Sequence, residues 1–86
     1  MTNNPDVFMT VRSLIAQVSP TRIDDIRAES RLREDLALDS VASMELLSLI
    51  DDELGLALEM EEVVGITTVG AMVALANRRL SQRGVA

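Results

Sequence analysis

Of the side chains that do chemistry near neutral pH, this 86-residue chain holds hydroxyls and carboxylates and little else. It has no His and no Cys, and its 8 basic residues are all Arg. Without His or Lys there is no ordinary general base and no amine for a Schiff base. Without Cys there is no thiolate nucleophile and no disulfide, and the common zinc ligands are missing. A serine hydrolase fails on the same ground, because a serine nucleophile needs an adjacent base. Asp51, Asp52 and Glu53 form a run of carboxylates, yet consecutive helical residues fan over different faces and the spacing of an EF-hand loop is absent. No metal site is expected beyond weak divalent screening, and no enzyme.

Among the hydroxyls, Ser40 has the most informative place. It follows Asp39 and opens the segment Ser40 to Leu54, in which Leu46, Leu47, Ile50 and Leu54 form one helical stripe and Gly55 stands just past the end. Asp39 or Ser40 stands at the start of this segment, and either is an ordinary helix cap, offering a side-chain oxygen to a free amide of the first turn. The same place suits a phosphate ester, which the free amides and the positive end of the helix dipole stabilise. Both readings stand at this point. A neighbouring face of the same helix carries Val41, Met44, Glu45, Ser48, Asp51 and Asp52. Core packing explains the leucine stripe only. Val and Met beside acids, directly below the serine, are what a docking surface for a basic partner with an apolar pocket requires, unless Met44 simply flanks the core.

Charge is unevenly spread. The formal net charge is -6 and the pI about 4.4, but residues 34–62 hold ten carboxylates and no basic residue, while residues 63–86 hold three Arg and no acid. One-signed density on a helix repels itself slightly and hints at a basic partner. Nucleic acid is disfavoured by that sign and by Phe8 being the only aromatic residue. The longest uncharged stretch, 63–77, has 15 residues, short of the roughly 20 a membrane span needs. The first residues lack the basic and apolar regions of a signal peptide, so a cytoplasmic location is the expectation.

A hydrophobic fraction of 48% in so short a chain predicts one small aliphatic core and a single domain over residues 1–86. Val7, Val11, Leu14, Ile15 and Val18 predict a first helix over roughly Pro5 to Val18, with Asn4 as cap, Pro5 at the first helical position and Asp6 in the first turn. Ser19 and Pro20 end it. A long connection, 21–39, follows, with Ile23, Ile26, Leu32 and Leu36 spaced as anchors. Residues 59–64 suit one short helical turn. Thr67 or Thr68 caps a last helix to about Gln82, with Val69, Met72, Val73, Ala76 and Leu80 inward and Arg78, Arg79 and Arg83 near its C-terminal end. The fold predicted is a small all-α four-helix bundle with a long loop between helices one and two and a short third helix.

The run EDLALDSVASMELLSLIDDELG resembles the phosphopantetheine attachment region of acyl carrier proteins. In that family a serine in an Asp, Ser, apolar triplet opens the second helix, followed by an acidic and apolar surface; here the triplet is Asp39, Ser40, Val41. The approach from Leu32 through Glu34 to Leu36 resembles the family's first loop, and Ile66 to Val69 its lead-in to the last helix. The likeness spans nearly the whole chain.

The resemblance implies that Ser40 is esterified with phosphopantetheine from coenzyme A by a separate, magnesium-using phosphopantetheinyl transferase. Cargo would ride as a thioester on that arm, which suits a polypeptide with no thiol of its own. It further implies that Asp39, Val41, Met44, Glu45 and Asp52 dock the transferase, an acyl- or aminoacyl-loading ligase and a downstream transferase or synthase. The expected state is a freestanding monomer that binds neither nucleic acid nor membrane. Departures from fatty acid carriers, namely Ala37 and Leu38 where many have a Gly, Ser48 where an apolar residue is common, and the apolar stretch Gly55 to Leu58, point to a specialised cargo. The competing expectation is an unmodified acidic helical adaptor for a basic partner protein.

Overall fold

The computed structural model describes residues 6–84. It places four α-helices among them, α1 (Val7–Val18), α2 (Ser40–Leu54), α3 (Met60–Val63) and α4 (Val69–Gly84), with a 3-10 turn at Ile23–Asp25 in the connection from α1 to α2. This is the all-α arrangement expected. Val11 and Ile15 of α1 are fully buried, with Val7 and Leu14 beside them, and this stripe is shared: α1 packs against both α2 and α4. Leu46 and Ile50 meet it from α2, and Val69, Met72, Leu75 and Ala76 from α4. Leu75 belongs to the inward face although the predicted stripe omitted it, while Val73, Leu80, Leu47 and Leu54 only flank the core.

The helix boundaries follow from caps. α1 starts two residues later than the sequence suggested: Asp6, expected within the first turn, is itself the cap, its carboxylate accepting the Met9 N–H at 3.2 Å. A carboxylate on extended backbone reaches a free amide of the first turn, which makes a good cap. The expected cap Asn4 and first-turn Pro5 lie outside the described residues, as does the Arg83 side chain. At the other end Ser19 leaves the helix in an extended conformation. Its hydroxyl donates to the Leu36 carbonyl at 2.7 Å and accepts the Thr21 N–H at 3.0 Å, tying the end of α1 to the turn that leads into α2.

The long connection is held on both sides. Ile26, Leu32 and Leu36 are buried as anchors, and Leu38 joins them. Ile23 does not: it is exposed in the 3-10 turn, where its carbonyl accepts the Arg12 Nε–H at 2.9 Å. The backbone of the connection pairs with the lead-in to α4. Leu32 N–H donates to Thr67 O at 2.9 Å and Val69 N–H to Ser30 O at 3.0 Å, and Gly70 N–H reaches Ala28 O at 2.7 Å. A Cβ on Gly70 would lie 3.1 Å from that same Ala28 oxygen, a tight contact that would have to be relieved by a shift of a few tenths of an ångström, so glycine suits this close approach. Thr68, not Thr67, caps α4, its Oγ1 accepting the Ala71 N–H at 3.1 Å. Between α2 and α3 the extended stretch after Gly55 points alternate residues inward, burying Leu56 and Leu58, which is why that stretch is so apolar.

Two ion pairs at the periphery are also hydrogen-bonded. Arg31 and Asp35 pair across one turn at 3.2 Å, and that hydrogen-bonded contact holds the Asp35 carboxyl below the ordinary range. Glu62 accepts the Glu59 N–H at 2.9 Å and an Arg79 N–H, joining α3 to α4, and these bonds, the amide first, lower its pKa as well. A lowered native pKa stabilises the fold above the unfolded value and loses that effect as pH falls through the native one. Glu62→Gln is therefore expected to be less stable than the parent chain near neutrality. The gap should close progressively as pH drops below about 4.5, the ordinary glutamate value. Urea unfolding of both proteins between pH 7 and pH 2 checks this, and a gap that widens toward acid would contradict it.

Candidate functional site

The turn before α2 is built to deliver two residues. After Arg31 the chain winds tightly: Ala37 N–H donates to Arg33 O at 3.2 Å and Leu38 N–H to Leu32 O at 2.9 Å. Ala37 closes the turn in the left-handed region at φ 57°, where a glycine would be unstrained. Buried Leu36 and Leu38 pin the turn, so the next two residues, Asp39 and Ser40, emerge at the surface.

The cap of α2 is Asp39. Its backbone is extended and its Oδ1 accepts the Ala42 N–H at 2.8 Å, while its carbonyl accepts the Ser43 N–H at 2.9 Å. Ser40 is the first helical residue and is exposed. Its hydroxyl takes part in no hydrogen bond among the described residues. The capping role that the sequence allowed for Ser40 is thus filled by its neighbour. A free hydroxyl remains at the positive end of a helix of 15 residues, the environment that suits an attached phosphate.

Down α2 from Ser40, Val41, Met44, Glu45, Ser48, Asp51 and Asp52 all lie on the exposed side, at spacings of three and four residues that make one face. Val41 is 72% and Met44 61% exposed, so Met44 does not flank the core. The opposite side of the helix presents Leu46 and Ile50 inward. The structure thus brings every expected docking residue onto one surface with Asp39 and Ser40 at its head.

Two clefts open beside the serine. One of about 410 Å³ runs from Ser40 and Ser43 toward Met60, Val64 and Ile66, floored by Leu32, Leu38 and Val63 and edged by Arg33 and Glu34. The second, about 340 Å³, is lined by Arg33, Ala37, Leu38, Asp39 and Ser40. Sequence reasoning missed Met60, Val64 and Arg33. Val64, 75% exposed just after α3, extends the apolar part of the surface. An apolar pair bounded by Gly65 after a one-turn helix was the available signal. Among the described residues no cluster of acids has the arrangement to hold a metal ion.

Residues 10–76 match the family model described as the phosphopantetheine attachment site. The chain belongs to the acyl carrier protein family. It is 34% identical over 70 residues to an acyl carrier protein of Saccharopolyspora erythraea, covering 81% of this chain and 74% of the relative. It is 30% identical to acyl carrier protein 3 of Ralstonia nicotianae, over 95% and 94% of the two chains. An acyl carrier protein of Borreliella burgdorferi is 32% identical over 90% of this chain and 96% of its own. The cofactor of the family is phosphopantetheine. The residues present fit that group: a free, exposed serine hydroxyl on a helix N-terminus, with a cleft of about 410 Å³ opening beside it.

The division of labour between Asp39 and Ser40 has a measurable consequence. Asp39→Ala should cost about 1 kcal/mol through loss of the cap. Ser40→Ala should change stability by less than about 0.5 kcal/mol, since the hydroxyl holds nothing. Urea denaturation separates the two. Equal costs would place the serine back in the cap.

Proposed function

We propose that residues 1–86 act as a single, non-catalytic carrier domain holding an acyl group as a thioester on a phosphopantetheine arm attached to Ser40. The observation that carries this reading is the unused, exposed Ser40 hydroxyl beside a cap already supplied by Asp39. In the modification, the Ser40 oxygen bonds to the phosphorus of the pantetheine-side phosphate of coenzyme A. The pyrophosphate bond breaks and adenosine 3′,5′-bisphosphate leaves. The serine proton passes to a base of the transferase, because this chain has no His, Lys or Cys to take it. What the chain contributes is position: a rigid turn, a capped helix and an open approach.

The exposed surface of Asp39, Val41, Met44, Glu45, Ser48, Asp51 and Asp52 serves as the shared dock for the phosphopantetheinyl transferase, the loading ligase and the enzyme that consumes the cargo. Its two exposed apolar side chains and its carboxylates match a basic patch around an apolar pocket. The relatives are acyl carrier proteins, which supports acyl over aminoacyl cargo. Ala37 in a left-handed turn and exposed Ser48 support a specialised pathway rather than housekeeping fatty acid synthesis. The apolar stretch Gly55 to Leu58 lends no support to that distinction, since its leucines are core residues. No described helix is long and apolar enough to cross a membrane, and a cytoplasmic site of action fits the partners named.

The test is an intact mass after incubation with coenzyme A, magnesium and a promiscuous phosphopantetheinyl transferase. The parent chain should gain one phosphopantetheinyl group and one titratable thiol, and Ser40→Ala neither. A parent chain left unchanged by several transferases would leave the unmodified acidic adaptor as the reading. With modification established, the double charge reversal Glu45→Arg and Asp52→Arg should slow it roughly tenfold or more at low salt, with an unchanged helical circular dichroism signal. Unaltered kinetics would remove this face from the dock.

A further inference from the structure

Among the described residues Arg33 is the only basic one lining either cleft beside Ser40, and it lines both. Its guanidinium has no hydrogen bond or ion pair among the described residues. Arg12 is engaged with the Ile23 carbonyl and Asp24, Arg31 with Asp35 and Arg79 with Glu62, while Arg22, Arg27 and Arg78, unpaired like Arg33 among the described residues, line neither cleft. The two other charged residues that line these clefts, Glu34 and Asp39, are both acidic. An anion added at Ser40 therefore enters a neighbourhood with two carboxylates and one uncommitted cation. The backbone from which that side chain springs is held beside Ser40, because the Arg33 carbonyl accepts the Ala37 N–H that closes the turn.

We propose that Arg33 is the positioning residue for the arm: its guanidinium pairs with the phosphodiester on Ser40 and fixes the direction in which the arm leaves the helix. A guanidinium presents a planar fork of donors that suits two oxygens of one phosphate, and the pairing offsets the repulsion from Glu34 and Asp39. The arm is thereby anchored at its first group, at the shared rim of the two clefts, before the flexible remainder begins. This rests on the attachment of phosphopantetheine to Ser40 proposed above.

The experiment compares apo and modified protein, without cargo, so that the phosphodiester is the only anion gained. In nitrogen-15 labelled protein the Arg33 Nε–Hε signal should shift on modification by several times more than those of Arg22 and Arg27, which line neither cleft. The change in urea midpoint between apo and modified forms should be more favourable in the parent chain than in Arg33→Gln, with Arg33→Lys between them. Arg33→Gln replaces an exposed side chain and leaves the backbone bond to Ala37 intact, so the variant should fold. A mass gain with the Arg33 signal no more shifted than the two controls, or with equal midpoint changes in parent and Arg33→Gln, would overturn the pairing alone. Absence of any mass gain would overturn the Ser40 attachment and the pairing with it.

Discussion

The carboxylate of Asp39 holds the first turn of α2, and the chemistry assigned to this chain depends on that bond. A helix N-terminus leaves amides that need acceptors, and a serine at the start of a helix is ordinarily one of them. Here the residue one place earlier supplies the acceptor, and the serine is left as the first helical residue with its hydroxyl free. The same step of one residue puts the hydroxyl outside the core, at the head of the acidic and apolar face of α2, and at the mouth of two clefts. A cap on Ser40 itself would have tied that hydroxyl to a backbone amide. Positioning and availability are thus two results of one hydrogen bond.

The rest of the fold keeps that bond where it is. α1 lies between α2 and α4 and supplies the stripe both pack on, so α2 is located from its inward side by Leu46 and Ile50. From the other direction, the connection into α2 is held at three places. Ser19 takes the Leu36 carbonyl, residues 30–32 pair with residues 67–69, and Leu36 and Leu38 are sunk in the core. A loop of this length in so small a chain would be mobile without such anchors. The left-handed Ala37 is the visible cost of the tight turn, a conformation that disfavours any residue with a Cβ.

Much of this was legible in the sequence because it rests on local rules. The 3.6-residue spacing of the aliphatic residues located α1, α2 and α4, Gly55 and Pro20 marked ends, and the charge count isolated the acidic face. What the sequence left undecided depends on tertiary placement. Asp39 and Ser40 are equally good caps by residue type, and only the backbone angle of each decides which one reaches the Ala42 amide. Ile23 and Leu38 both carry large aliphatic side chains, yet one faces solvent and the other the core, because the first lies in a 3-10 turn and the second just beyond a left-handed residue. Arg33, Met60 and Val64 come together from segments far apart in the chain, a meeting that no spacing rule foretells.

Every basic side chain of this chain is a guanidinium, three of them tied to neighbouring groups among the described residues, and the polypeptide owns no side-chain amine, thiol or imidazole. A thioester is an acyl donor. A lysine in its neutral form, brought close by a swinging arm, would take the acyl group as an amide and keep it, since amides do not exchange back to thiols. Arginine stays protonated and has no free lone pair to attack with. For the acyl-bearing arm proposed on Ser40, self-acylation through side-chain nitrogen or sulfur is closed off by composition.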